Sequence, residues 1–289
     1  KIPTFQLAVP IRHRQESVQE YAAEEVVNAI HFIEEQTGEK FDWDAFFKSM
    51  KRFNAETEEF LEWMEISKTD YPQVMGVTLA LYRYGVYQAA GGRNQAFLDM
   101  DKKLTKMALD AYKNKEMGAK EYRHRAMTWG VQAAYYTALP IWLLNCWGVV
   151  TIADMLSMVS TEMVNTEDKH QAMLDLAYLY ENMIMRNRSN GGYETGVEAL
   201  WRFCEMFNID IVIMYVHMGC KSMSGYHGLF EEEARKHGIH LIWVTHNLMC
   251  PEDGTRRDMR TEINRYMRTV FREEPLDPSL EDFDDSKSW

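Results

Sequence analysis

The sequence predicts an α/β protein: a helix-rich N-terminal half followed by a parallel-sheet domain. Three observations point there. Residues 1–125 are dominated by long segments with apolar residues at helical spacing. Beyond them, short apolar runs alternate with amphipathic segments, the pattern of strands joined by crossover helices. Those runs are continuously apolar, as strands covered on both faces are. The expected division is residues 1–125, the end of a preceding α/β domain plus a helical connecting region, and residues 126–289, a C-terminal α/β domain with an acidic tail.

The elements follow in order. KIPTFQLAVP reads as a buried strand and its exit, as though the fold were entered midway. Gln15 to Glu35 has helical periodicity and stops at Thr37-Gly38. Asp42 can cap the next helix, Trp43 to Ile66. Further helices are predicted from Pro72 to Ala90, closed by Gly91-Gly92, from Asn94 to Lys115, and from Ala119 to Arg125. Ala126–Gln132 can be a strand, and AYYTALPIWLLNCWG a short bulky helix ending at Gly148. Val149–Met155, Ile209–Val216 and His240–His246 are strands. The helices between and after them run over Lys169–Arg186, Tyr193–Phe207, Leu229–Lys236 and Arg256–Phe271. The tail DPSLEDFDDSKSW should lie as an extended arm over a partner or over the protein's own surface.

Composition narrows the function. The chain has 289 residues, 46% hydrophobic and 26% charged, enough for a real core. A net charge of -12 argues against nucleic-acid binding, which needs clustered Lys and Arg. No run approaches the roughly 20 apolar residues that span a bilayer, and no export signal is seen, so a cytoplasmic protein is expected. The four cysteines, Cys146, Cys204, Cys220 and Cys250, form no C-x-x-C pair and read as reduced thiols. No Walker A, G-x-G-x-x-G or G-x-S-x-G sequence occurs.

In parallel α/β sheets ligands bind outside the carboxyl ends of the strands. Three loops meet that description: Ala153 to Val159, His217 to Gly228, and His246 to Gly254. In HMGCKSMSGYHG, Cys220 follows a strand and precedes Lys221, a setting that favours thiolate, the form that ligates metal. Gly225 and Gly228 are expected to let backbone N–H groups approach an anion or a cluster. His217, Lys221, Ser222, Ser224, Tyr226 and His246 are candidates for substrate contact or for supporting the thiol. Cys250, in H-x-x-x-C with His246, is a second candidate thiol, and Cys220, His246 and Cys250 together could make a zinc module.

The segment VIMYVHMGCKSMSGY, followed by a helix, GIHLIWV and RDMRTEINRYM, resembles the C-terminal domain of the 2-hydroxyacyl-CoA dehydratases and the related benzoyl-CoA reductases. The Glu35–Lys40 pattern, glutamate-x-threonine-glycine-x-lysine, is similar to the helical connection of the same family. The resemblance implies a flavodoxin-like α/β domain in a subunit that pairs with a second homologous subunit. It implies a 4Fe-4S cluster shared with an N-terminal domain, with Cys220 as one ligand; Cys250 departs from the family pattern, standing where the family carries acidic residues, and is a second candidate thiol on its position alone. Flavin is a further candidate cofactor. The implied reaction is oxygen-sensitive dehydration of a 2-hydroxyacyl-CoA through a ketyl radical, primed by an ATP-dependent iron–sulfur activator protein. Two alternatives are an aromatic-ring reductase subunit of the benzoyl-CoA type and a non-catalytic structural partner subunit.

Overall fold

The computed structural model describes residues 2–10, 15–73, 95–117, 121–155, 162–182 and 193–284. The chain forms two compact units, one from Lys1–Met64, Tyr84–Ala108 and Val159–Gly196, the other from Glu65–Arg83, Leu109–Met158 and Val197–Trp289.

The first unit is helical. Its core joins α1 (Glu16–Thr37), α2 (Trp43–Ser67, which runs on into the second unit) and α5 (Lys169–Glu181). Ala22 and Ala23 of α1 face Ala172, Met173 and Ala177 of α5, so small side chains sit on both sides of the contact. The TGEK stretch is a helix stop. Gly38 takes the left-handed conformation (φ 77°) and its N–H donates to the Glu34 carbonyl at 2.8 Å. The Glu34 carboxylate then accepts from the Phe41 N–H at 2.9 Å and pairs with Lys40 at 3.2 Å. The Phe41 bond and then Lys40 pull the Glu34 carboxyl down to about 2. Asp42 caps α2 as expected, accepting from the Ala45 N–H at 2.9 Å. Asn54 fastens the segment before α5 through two bonds to the Val164 backbone, 2.7 and 2.9 Å.

The expected strand at the start is absent: residues 2–10 form no regular secondary structure and pair with no strand among the described residues. Their backbone is held instead by a side chain, the Ala8 N–H donating to Glu25 at 3.1 Å. The expected helix from Pro72 to Ala90, the turn before Tyr193 and the loop beyond Met155 lie largely outside the described residues. Helix α3 is Gln95–Lys113.

Among the described residues the second unit holds a four-stranded sheet of order β2-β1-β3-β4, every pair parallel. The strands are β1 (His124–Trp129), β2 (Val149–Asp154), β3 (Ile211–His217) and β4 (His240–His246). One face packs on α4 (Leu139–Trp147) and α8 (Arg256–Tyr266) through Ile211, Ile213, Ile242, Val244, Trp147 and Ile263. The other face meets α6 (Tyr193–Met206) and α7 (Lys221–His237), where Trp201, Phe230 and Trp243 stack edge to face. Covering on both faces explains why the strands are apolar throughout.

Two helical expectations are corrected. Residues 121–125 are not helix; β1 begins at His124. Arg125 looks like a helix residue in sequence, but its guanidinium reaches the Ser67, Thr69 and Phe207 carbonyls at 2.6, 2.9 and 2.9 Å. Helix α7 begins at Lys221, eight residues before the expected Leu229. Gly225 and Gly228 therefore lie inside a helix, where each costs about 1 kcal/mol relative to Ala, and do not form an anion cradle. The last expected helix also divides. Thr255 and Asp258 form a capping box at its start, and Met267–Phe271 is a π-helical turn. The tail folds back on its own unit: Trp142 donates to the Leu280 carbonyl at 2.8 Å, and Arg268 pairs with Glu281 at 2.5 Å.

Candidate functional site

Because every strand is parallel, the loops after β1, β3 and β4 open on one edge of the sheet. Strands β3 and β4 run in unbroken register from Ile211 opposite His240 to His217 opposite His246. The His217 and His246 loops are thereby set side by side, and the Met218 N–H donates to the His246 carbonyl at 3.0 Å.

The turn that follows is organised by His217. Its carbonyl accepts from the Cys220 N–H at 2.8 Å, and its Nδ1 accepts from the Gly219 N–H at 3.1 Å. Cys220 then stands at the N-cap of α7, half-buried, with extended backbone (φ -88°, ψ 94°). Its carbonyl accepts from both the N–H and the hydroxyl of Ser224, each at 3.2 Å. Neither the thiol nor another side chain caps the helix.

The other candidates divide. Lys221 and Ser222 lie in the first turn of α7, exposed and half-buried. Tyr226 is on the second turn, its ring edge on to Phe230 at 6.5 Å. His227 stacks on Trp243 at 4.0 Å and is a packing residue. His246 is fully buried, its ring edge on to Tyr215 at 5.6 Å and to His217 at 6.0 Å. Burial lowers its pKa, against the raising influence of the Asn247 and Val131 backbone.

Cys250 is half-buried in a turn built by Asn247, whose side-chain oxygen accepts from the Met249 and Cys250 N–H groups at 3.2 Å. Its thiol donates to Glu252 at 3.0 Å, and that bond holds the thiol above the ordinary cysteine value. Cys146 and Cys204 lie in the core, where burial pushes both to about 12. Among the described residues no three His, Cys, Asp or Glu side chains gather as a metal-holding group, so Cys220, His246 and Cys250 do not form the zinc trio considered from sequence. Of the side chains at this edge, the half-buried Cys220 thiol is a donor of the kind an iron–sulfur cluster takes.

Sequence reasoning passed over the loop after β1. Gly130 (φ 101°) ends that strand so close to β3 that a Cβ there would collide with the Tyr215 carbonyl and stand 3.1 Å from its Cβ. The loop then bonds to the one after β4, Ala134 N–H to Leu248 carbonyl at 3.0 Å and Tyr135 hydroxyl to Gly254 carbonyl. The signal was the glycine directly after an apolar strand.

The second unit is thus a parallel α/β domain with a thiol-bearing helix N-terminus at the carboxyl edge of its sheet. Comparison with protein families makes this specific: the family model of the 2-hydroxyglutaryl-CoA dehydratase D-component matches residues 1–267. The chain belongs to that family. Among curated proteins none matches it. No described helix is long and apolar enough to cross a membrane.

Proposed function

We propose that the chain is a subunit of an iron–sulfur 2-hydroxyacyl-CoA dehydratase and that Cys220 is a ligand of its 4Fe-4S cluster. The observation that carries the reading is a half-buried thiol at the N-terminus of α7, on the carboxyl edge of the sheet, in a chain of the dehydratase D-component family. Dehydration of a 2-hydroxyacyl thioester removes the hydroxyl from C2 and a proton from C3, a carbon that the thioester does not acidify. A bound cluster supplies the one-electron chemistry that such an elimination calls for.

The chain's own residues set the ligand. The His217 carbonyl and Nδ1 fix the turn that carries the sulfur. The α7 dipole offsets negative charge there. Ser224 holds the Cys220 carbonyl and keeps the first helical turn closed. The remaining ligands, a second homologous subunit, an ATP-dependent activator and any flavin belong to the assembly around it. A second reading is a partner subunit that only completes a sister's pocket; it is favoured by the thiol of Cys250 being tied to Glu252, which leaves Cys220 as the one described edge thiol not engaged by a carboxylate.

The test is iron and acid-labile sulfide content of the full-length protein, made anaerobically with its neighbouring subunit. Wild type is compared with Cys220→Ser. About four irons per cluster in wild type, falling in the variant, supports the assignment. Equal iron in both removes Cys220 from the ligand set and leaves the partner-subunit reading.

A further inference from the structure

We propose that the outer edge of β4 is a docking site for an extended, basic peptide segment of a partner protein, which adds to the sheet as a further strand.

The phase of the β4 backbone fixes which groups are free. The His240 N–H donates to the Asp210 carbonyl at 2.9 Å, and the His246 carbonyl accepts from the Met218 N–H at 3.0 Å. In a parallel ladder one residue turns its N–H and C=O to the same neighbouring strand, and the next residue turns them the other way. His240, Ile242, Val244 and His246 therefore bond towards β3. Leu241, Trp243 and Thr245 turn theirs outward. Among the described residues the outward N–H and C=O groups of Trp243 and Thr245 bond to nothing. The opposite edge differs: β2 is buried along its whole length, whereas Thr245 is exposed. Proteins blunt such edges with Pro, Lys, a bulge or a very short strand. HLIWVTH has seven residues in unbroken register and neither Pro nor Lys.

A groove lies along this edge. It is a cavity of about 380 Å³ lined by Trp243, Thr245, Asp258, Thr261 and Glu262. Trp243 is on the α7 face of the sheet, stacked on His227 and bonded to Glu231. Asp258, Thr261 and Glu262 belong to α8, on the opposite face. With walls from both faces, the cavity sits at the strand edge and not over either face.

Charge selects the occupant. Asp258 and Glu262 line the groove and Glu231 stands beside it, while Arg265, paired with Glu262 at 2.7 Å, offsets one of the three. A second copy of the same edge would set these carboxylates against their own counterparts, and like charges across a strand pair are unfavourable. A cationic strand meets opposite charge instead. The spacing agrees. Asp258 and Glu262 are at i and i+4 of α8, a rise of about 6 Å. Alternate residues of a strand stand about 6.6 Å apart on one side. Lys or Arg at i and i+2 of the added strand can thus face both carboxylates, with the residue between them on the Trp243 side.

The test is fluorescence anisotropy on the full-length protein with two dye-labelled peptides, Thr-Lys-Val-Lys-Val-Thr and Thr-Glu-Val-Glu-Val-Thr. Saturable binding of the lysine peptide, and not of the glutamate peptide, is expected. Thr245→Pro removes an outward N–H and no bond to β3, a change that edge strands tolerate, and should weaken binding about tenfold. Its melting temperature should stay close to that of wild type, which separates loss of docking from loss of fold. Glu262→Gln, on the surface of α8, should weaken binding about threefold, as loss of one exposed ion pair does, and keeps the test open if the proline variant unfolds. No saturable binding of the lysine peptide to wild type, equal binding of both peptides, or unchanged affinity in both variants overturns the docking site. A wild-type dimer in sedimentation that Thr245→Pro dissolves also overturns it, because a second copy then holds the edge. Binding is read without iron or turnover, so its failure leaves the dehydratase reading standing.

Discussion

Arg125 joins three stretches of chain, and its removal should be felt in stability. Its guanidinium donates to the carbonyls of Ser67, Thr69 and Phe207 at 2.6, 2.9 and 2.9 Å. The first two belong to the C-terminus of α2 and the residues just after it, where helix carbonyls lack intrahelical partners. A hydrogen bond to a charged donor contributes about 1.5–3 kcal/mol. Three bonds from one half-buried group share that group and do not add in full. For Arg125→Met, which keeps the aliphatic stem, the expected loss is therefore about 3 kcal/mol. At about 2–4 °C per kcal/mol for a chain of this size, the melting temperature should fall by about 6–12 °C. The assay is thermal unfolding followed by far-ultraviolet circular dichroism. Arg125→Lys should recover part of the loss, since an ammonium cannot fork across three acceptors. Arg123→Met, an exposed neighbour paired with Glu273 at 3.3 Å, is the control and should shift little. A fall of less than about 2 °C for Arg125→Met would refute the argument that these bonds close α2.

Two further outcomes follow from the sheet. His124 lies between Asp210 at 3.0 Å and Glu273 at 2.9 Å; the Asp210 bond, helped by Glu273 and opposed by burial, holds its pKa above the ordinary 6.5. A raised folded-state pKa gives stability that is fully present below the ordinary value and lost as pH rises through the folded one. Melting temperature measured from about pH 6 to about pH 9 should therefore drop in wild type, and His124→Gln should flatten that part of the curve. Gly130→Ala places a methyl against the Tyr215 carbonyl at a φ of 101°. It should destabilise by about 2 kcal/mol or more, read as a lower urea midpoint, and an unchanged midpoint would mean that the strand end relaxes freely.

Much of this was open to reading from sequence because it rests on local chemistry. The runs IVIMYV and LIWV are apolar because both faces of the sheet are covered. Thr37-Gly38 and Asp42 act within one turn of where they stand, so the stop and start of α1 and α2 are visible. What failed depends on distant partners. EYRHR reads as helix because the acceptors that make Arg125 and His124 acceptable in a strand lie far along the chain. The start of α7 was hidden because Gly225 and Gly228 imitate a loop, although a helix anchored by packing at Met223 and Phe230 tolerates them. At the site, Cys220 and His217 were legible as residues at a strand end. The pairing of Tyr215 with His246 was not, since a continuously apolar strand gives no sign of which face each residue takes.

The strand order has a consequence for the chain as it is being made. Strand β1 lies at the centre of the sheet, between β2 and β3. Its neighbour β2 follows closely, but β3 leaves the ribosome about 80 residues later, a delay of about 4–16 s at the usual elongation rates of 5–20 residues per second. Throughout that interval Ala126 to Trp129 present an apolar edge with nothing to pair with, and any other strand in the cell can compete for it. Production of this protein should therefore be limited less by its final stability than by what protects that edge during synthesis.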